Sequence, residues 1–135
     1  MIITGLGGYG KRFVIQAVTN LLKEQCKICA YFGIAAFNIK GSTLHSLLQL
    51  PTRSKKNGPL KSSAFARLQA DLKGVKYFII DEFFVIGQKM FSWINKRCEE
   101  AIGRTTVPFH TIFVILVGEL PSITDKVLYH TKPEN

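Results

Sequence analysis

The sequence has few cysteines, no long apolar run and no apolar N-terminal leader, and each shortage excludes a class of protein. Its three cysteines, Cys26, Cys29 and Cys98, are too few for a secreted disulfide scaffold, so a reducing compartment is expected. The longest apolar run, residues 112–117, has the length of a buried strand and is too short for a membrane span. Glycines follow directly after Thr4, where a signal peptide would need apolar residues. We therefore expect neither a membrane segment nor a signal peptide.

Acidic residues are also scarce. The chain of 135 residues carries 9 Asp and Glu against 18 Lys and Arg, which gives a net charge of +9 and a pI of about 9.7. Such an excess favours a polyanionic partner, although a solvated basic surface would have the same composition. A basic, polar loop is predicted over residues 51–61, where Arg53, Lys55 and Lys56 are candidate contacts for nucleic-acid phosphates.

The two cysteines of the segment Cys26-Lys27-Ile28-Cys29 have the spacing of a zinc or redox pair. A zinc site would need a second pair of Cys or His residues, and none follows nearby. The same segment also has the pattern of a strand entering Ala30, so buried strand thiols are the favoured interpretation.

Strands alternate with helices along the chain, which predicts a mostly parallel sheet covered on both sides. The predicted elements are a strand end at 1–4, a helix at 11–23, a strand at 26–31, two helical pieces within 33–48 split at Gly41, a helix ending at Leu72, a strand at 75–80, a helix at 88–102 and a strand at 111–117. Ser42 or Thr43 is expected to cap the second helical piece, and Ser62 or Ser63 the helix ending at Leu72. The fold class is therefore three-layer α/β/α, with ligands at the carboxyl ends of the strands.

A glycine-rich segment between the first strand and the first helix matches a phosphate-binding loop at every fixed position except the last. Its residues are Gly5, Leu6, Gly7, Gly8, Tyr9, Gly10, Lys11 and Arg12. Glycines allow backbone N–H groups to face the phosphates, and the helix that follows points its positive end at the same anion. Lys11 would bind the β- and γ-phosphates. A purely structural strand-to-helix turn is the alternative, but the order of strand, loop, lysine and helix favours nucleotide binding.

Arg12 stands where this loop usually has Ser or Thr, whose hydroxyl ligates magnesium. A guanidinium has only hydrogen-bond donors and is always charged, so it repels a cation and cannot ligate it. We expect nucleotide to bind while metal-dependent hydrolysis is impaired.

Two acids, Asp81 and Glu82, stand at the end of the apolar strand predicted at 75–80. Asp81 is the candidate ligand for Mg²⁺, and Glu82 the candidate for polarising the attacking water. Solvated turn carboxylates would give the same local pattern. Their position about 70 residues beyond a phosphate loop favours the catalytic interpretation.

Longer segments extend the pattern beyond these motifs. They read CAYFGIAAFNI from Cys29, GSTLHSLL from Gly41, LQADLK from Leu68 and GQKM from Gly87. Nearly end to end, the chain resembles the first motor domain of the petite-integration-frequency (Pif) group of DNA helicases, and it is most similar to versions carried by Helitron-type transposons.

The resemblance implies a RecA-like P-loop domain that uses ATP and Mg²⁺, with Lys11 and Glu82 as catalytic residues. It implies 5′-to-3′ DNA unwinding in repair, recombination and telomere maintenance, and a nuclear location, with mitochondria also used in the parent family. Thr43 and His45 would lie along the path of single-stranded DNA, whereas His45 taken alone would be read as a helix-packing residue. The second motor domain that such an enzyme needs as a partner has no counterpart in the sequence, so residues 1–135 are expected to be a partial motor domain that is inactive alone.

Several positions depart from the Pif pattern. Tyr31-Phe32 replaces Pro-Thr, and Phe84-Val85 replaces Ser-Met after the acidic pair. The segment 118–122 is shorter than the family's, and Glu119 replaces its phosphate-sensing glutamine or that glutamine is lost. Two alternatives therefore stay open: an inactive nucleic-acid-binding remnant of a transposon helicase, and a small P-loop phosphotransferase.

Overall fold

The computed structural model describes residues 1–8, 10–50, 60–103, 109 and 112–120. Tyr9 of the phosphate loop and the basic residues Arg53, Lys55 and Lys56 lie outside the described residues. Their predicted roles stay predictions.

A five-stranded sheet forms the centre of the domain, with the strand order β1-β5-β4-β2-β3 and parallel pairing throughout. The strands are β1 Ile2–Thr4, β2 Cys26–Ala30, β3 Ser42–Thr43, β4 Tyr77–Asp81 and β5 Phe113–Gly118. The helices are α1 Lys11–Leu22, α2 Gly33–Asn38, α3 Leu44–Leu47, α4 Ser62–Leu72 and α5 Gln88–Ile102, with 3-10 turns at Lys23–Gln25 and Phe83–Val85.

Helices cover both faces of the sheet, as the central strand β4 shows. Phe78 and Ile80 point to one face and pack with residues of α3, α4 and α5. Ile79 points to the other face and packs with Ile15 of α1 and Ala36 of α2. Alternate side chains of a strand face opposite sides, so an apolar strand needs two apolar layers. The predicted three-layer α/β/α fold is confirmed.

The short edge strand β3 was not predicted from the sequence. Its two residues pair with β2, and the turn before it brings Gly41 against β2 so closely that a Cβ there would lie 2.6 Å from the carbonyl oxygen of Ile28. Thr43 caps α3 as predicted, because its hydroxyl accepts a hydrogen bond of 3.2 Å from the backbone N–H of Ser46. The cap predicted for α4 is wrong: Lys61 occupies that position and Ser62 is already helical.

All three cysteines are free and buried. Cys26 and Cys29 lie in β2, which agrees with the strand interpretation of this pair. Burial raises the pKa of each of these thiols. Among the described residues, no three His, Cys, Asp or Glu side chains are grouped closely enough to hold a metal ion. No helix within the described ranges is long and apolar enough to cross a membrane.

Parallel pairing brings the carboxyl ends of the strands to one edge. Ala30 at the end of β2 pairs with Asp81 on one side and with Thr43 on the other. Asp81 in turn pairs with Val117, and Thr4 pairs with Gly118. The segments that leave these strands therefore share one edge of the sheet, where parallel α/β folds bind their ligands.

Candidate nucleotide site and nucleic-acid interface

The glycine loop connects the carboxyl end of β1 to the start of α1. Gly8 and Gly10 have positive φ angles of 79° and 83°, a backbone conformation that side-chain-bearing residues rarely adopt. Gly10 is the N-cap of α1, and its carbonyl accepts the backbone N–H of Val14 at 3.1 Å. The loop thus turns the chain from strand to helix. The first-turn N–H groups of a helix have no carbonyl partner within that helix, so those of α1 can bind an anion.

The ammonium of Lys11 is held inside this loop. Its Nζ donates to the carbonyl oxygens of Gly5 at 2.6 Å and Leu6 at 2.8 Å. It also lies 3.3 Å from Oε1 of Glu119, which follows β5. The same Oε1 would lie 3.0 Å from a Cβ on Gly7, so the carboxylate rests directly on the glycine loop. Sequence reasoning identified Glu119 only as a possible replacement for a lost glutamine and did not predict its contact with Lys11.

The two acids follow β4 on the neighbouring side of the site. Asp81 is the last residue of β4, and its Oδ1 accepts the backbone N–H of Glu82 at 3.0 Å. Glu82 has a φ of 54°, in the left-handed region, and so turns the chain sharply at the sheet edge. Burial raises the pKa of Asp81, while the bond from Glu82 and the charges of Lys11 and Arg12 act in the opposite direction. The positive charges of Lys11 and Arg12 therefore both act on the Asp81 carboxylate.

One open cavity of about 760 Å³ joins the glycine loop to the acidic pair. Its lining residues are Gly7, Gly8, Gly10, Lys11, Arg12, Asp81, Glu82, Phe84, Val85, Gly118 and Glu119. The structure thus places three of the predicted phosphate-loop glycines, both loop cations and both acids around one space, whereas Gly5 and Leu6 do not line it.

Phe84, one of the two residues that depart from the Pif pattern after the acidic pair, packs against the end of β5. Its ring lies over Gly118 so closely that a Cβ there would be 2.6 Å from the ring. Phe83 and Phe84 also contact each other, with 4.4 Å between ring centroids. The aromatic side chain therefore closes one wall of the cavity at the end of β5 and requires glycine opposite it.

The residues of this cavity fit magnesium only in part. Mg²⁺ in nucleotide sites is usually bound by one or two carboxylates together with the phosphates of the nucleotide. Asp81 supplies such a carboxylate. Arg12 occupies the hydroxyl position of the loop and brings a positive charge near Asp81, which opposes a second cation there.

Thr43 and His45 lie at the same sheet edge, outside the cavity. The hydroxyl oxygen of Thr43 accepts the capping hydrogen bond of α3. Its O–H group can still donate a hydrogen bond to a ligand. The ring of His45 packs edge-on against Tyr31, with 5.4 Å between centroids and an angle of 74°. His45 is half-buried. The structure therefore shows a packing contact of His45 with Tyr31, while the predicted contacts of Thr43 and His45 with DNA stay predictions.

The fold and this cavity define a P-loop NTPase domain of the RecA-like type. Two features support that assignment. A glycine loop connects a strand to a helix, and the acidic end of another strand of the same parallel sheet lines the same cavity. The PIF1-like helicase family model matches residues 1–131, and the chain belongs to this family.

Known relatives agree with this membership. The ATP-dependent DNA helicase PIF1 of Danio rerio is 30% identical over 132 residues, which cover 92% of this chain and 20% of that protein. The unliganded Pif1 structure from Bacteroides sp. has a TM-score of 0.71 at 26% identity and covers 98% of this chain and 32% of that one. A Bacteroides Pif1 structure bound to ssDNA has a TM-score of 0.72 at 20% identity, covering 99% of this chain and 33% of that one. The chain thus spans a third or less of the length of each of these relatives.

Proposed function

We propose that this chain is the nucleotide-binding part of the first motor domain of a Pif-type ATP-dependent DNA helicase. The observation that carries the proposal is the shared cavity, in which Lys11 of the glycine loop faces Asp81 and Glu82. Family membership supports ATP as the nucleotide and DNA as the polymer that is moved or unwound. It also favours this function over a small phosphotransferase.

Each part of the cavity has a chemical task in this proposal. The N–H groups of the loop and of the first turn of α1 bind the phosphates, and Lys11 neutralises their outer charge. Asp81 would hold Mg²⁺ together with the phosphates of the nucleotide, and the ion would stabilise charge on the transferred phosphoryl group. Glu82 would polarise the attacking water and accept a proton from it.

Two features weaken this machinery relative to the family pattern. Arg12 puts a fixed positive charge beside the magnesium position, and Glu119 puts a carboxylate beside Lys11. We propose that the isolated chain binds nucleotide but hydrolyses it negligibly. Hydrolysis and translocation require a second motor domain that closes on the same cleft.

The DNA partner is proposed to be a single strand at the carboxyl edge of the sheet. The excess of basic residues supports a polyanion, and the exposed part of His45 supports this edge. For the complete protein we propose 5′-to-3′ unwinding in the nucleus. An inactive nucleic-acid-binding remnant is the second candidate, and the positions of Arg12 and Glu119 are the observations that favour it.

Titration with a fluorescent ATP analogue, with and without Mg²⁺, tests the nucleotide site. We expect the wild-type chain to bind, and Lys11→Ala to weaken binding by at least about tenfold because the main phosphate charge partner is lost. Lys89→Ala, on exposed α5 surface, is the matched control and should leave affinity unchanged. Failure of the wild-type chain to bind nucleotide in either condition, with retained binding to single-stranded DNA, would establish the remnant instead.

A further inference from the structure

Three aromatic rings form a cluster beside the end of β2. Tyr31 contacts Phe32 edge-on, with 4.9 Å between centroids and an angle of 82°, and contacts His45 edge-on on another side. Tyr31 and His45 are half-buried, whereas Phe32 is 50% exposed. The Tyr31 ring packs edge-on between Phe32 and His45, so the ring of Phe32 has a packed aromatic neighbour beneath it.

Packing of the core does not account for a phenylalanine at position 32. The strand ends at Ala30, and α2 starts at Gly33 and directs Ala35 and Ala36 into the core. Phe32 falls between the two elements and belongs to neither core cluster. Half of a large apolar ring is therefore left facing solvent at the ligand-binding edge of the sheet.

The location and the charge of the chain indicate which ligand would use this ring. Ala30, one residue before the cluster, pairs with Asp81 of the nucleotide cavity and with Thr43. The net charge of +9 attracts a polyanion, and a nucleic acid is the polyanion that also carries flat aromatic groups. Bases of single strands stack on exposed aromatic rings with little regard to sequence.

We infer that Phe32, supported by Tyr31 and His45, is a base-stacking contact for single-stranded nucleic acid. The inference rests on the proposed function and adds to it a residue and a mode of contact. Phosphate contacts elsewhere on the chain would supply the salt-dependent part of the affinity, while Phe32 supplies a part that depends on the base.

The test compares two fluorescein-labelled strands of equal length, oligo-dT and an abasic strand with the same phosphates, by anisotropy at low salt. Phe32→Ala should weaken oligo-dT binding about five- to fiftyfold and leave abasic-strand binding unchanged. Phe32→Trp keeps a stacking face and should bind oligo-dT at least as well as wild type. Phe37→Ala is the matched control, because Phe37 is a phenylalanine of α2 that is 82% exposed and outside the cluster. It should behave as wild type.

The outcomes separate the inference from the function on which it rests. If wild type binds oligo-dT and Phe32→Ala binds equally well, stacking is refuted and the DNA-binding proposal survives. If Phe32→Ala loses both strands equally, the ring supports the fold and does not contact bases. If wild type binds neither strand at low salt, the DNA part of the proposed function is itself refuted, and the inference with it.

Discussion

The Nζ of Lys11 lies 3.3 Å from Oε1 of Glu119, so the cation that would receive a phosphate already has an anionic partner. Water and ligands can reach that partner, because the Glu119 side chain is 51% exposed. A nucleotide phosphate at the proposed site would therefore compete with a carboxylate of the chain itself.

Glu119→Gln should tighten nucleotide binding, because the amide keeps the shape of the side chain and removes the competing charge. The Lys11 side chain is 17% exposed and that of Glu119 51%, and a partly solvated ion pair of this kind contributes about 1 kcal/mol, so the expected gain is about two- to fivefold. The same fluorescent titration measures it. Glu24→Gln is the control, because Glu24 lies in the turn that leads into β2, at the amino ends of the strands and away from the cavity. Unchanged or weaker binding by Glu119→Gln would show that Glu119 does not compete with phosphate.

Arg12→Ser should restore the dependence of nucleotide binding on magnesium. A unit charge pair about 4 Å apart in a partly wet site interacts by about 4 kcal/mol before salt and relaxation reduce it, so Arg12 is expected to disfavour the metal complex strongly. The wild-type chain should bind metal-free ATP at least as tightly as Mg-ATP, and Arg12→Ser should reverse this order. Arg67→Ser, on exposed α4, should leave the ratio of the two affinities as in wild type. The explanation fails if the unmodified chain prefers Mg-ATP.

Gly41→Ala should destabilise the domain by about 1–3 kcal/mol, because the added Cβ would press on the backbone of Ile28 at 2.6 Å and force β2 and β3 apart. Urea unfolding followed by circular dichroism measures the change. Gly33→Ala is the matched control: a Cβ there meets no atom within 4 Å, and alanine should be neutral or stabilise slightly. Equal stability of the two variants would mean that β3 is not packed as closely as described.

Cys98 should make stability depend on alkaline pH. Burial, with a smaller effect of Glu99, raises the pKa of this thiol to about 12. Above about pH 9 the unfolded thiol loses its proton while the native thiol keeps it, so this contribution to stability falls as pH rises towards 12, by about 1.4 kcal/mol per pH unit. The stability difference between wild type and Cys98→Ala should be constant from pH 6 to 8 and shrink from pH 9 to 10.5. A difference that stays constant across both ranges would show that the native thiol ionises normally.

The sequence predicted the central fold because its strongest signals are local. The run Phe78-Ile79-Ile80 requires a strand with two covered faces, and a glycine loop before a helix has few other structural uses. Helix α5 was predicted with its observed bounds, since a long amphipathic period is easily recognised. The family assignment rested on several such segments together and is confirmed.

The parts that the sequence could not predict depend on contacts between distant segments. Strand β3 has only two residues, too few for any periodicity, and forms because Gly41 permits close approach to β2. The contact of Glu119 with Lys11 joins residues 108 positions apart. The Tyr31 cluster likewise needs His45, which β3 brings beside the end of β2. Each of these requires the folded sheet before it can be seen.

The pairing of Ala30 with Asp81 also bears on how a signal would pass through this domain. Adjacent strands are about 4.8 Å apart, so Asp81, the proposed ligand of Mg²⁺, lies beside the chain that leads into the aromatic cluster. A shift of the β4 terminus on nucleotide binding would be felt at Tyr31 and Phe32 through one row of backbone hydrogen bonds. Coupling between the proposed nucleotide site and the proposed DNA contact would then need no relay of side chains across the protein. It would depend on the stiffness of two adjoining strands.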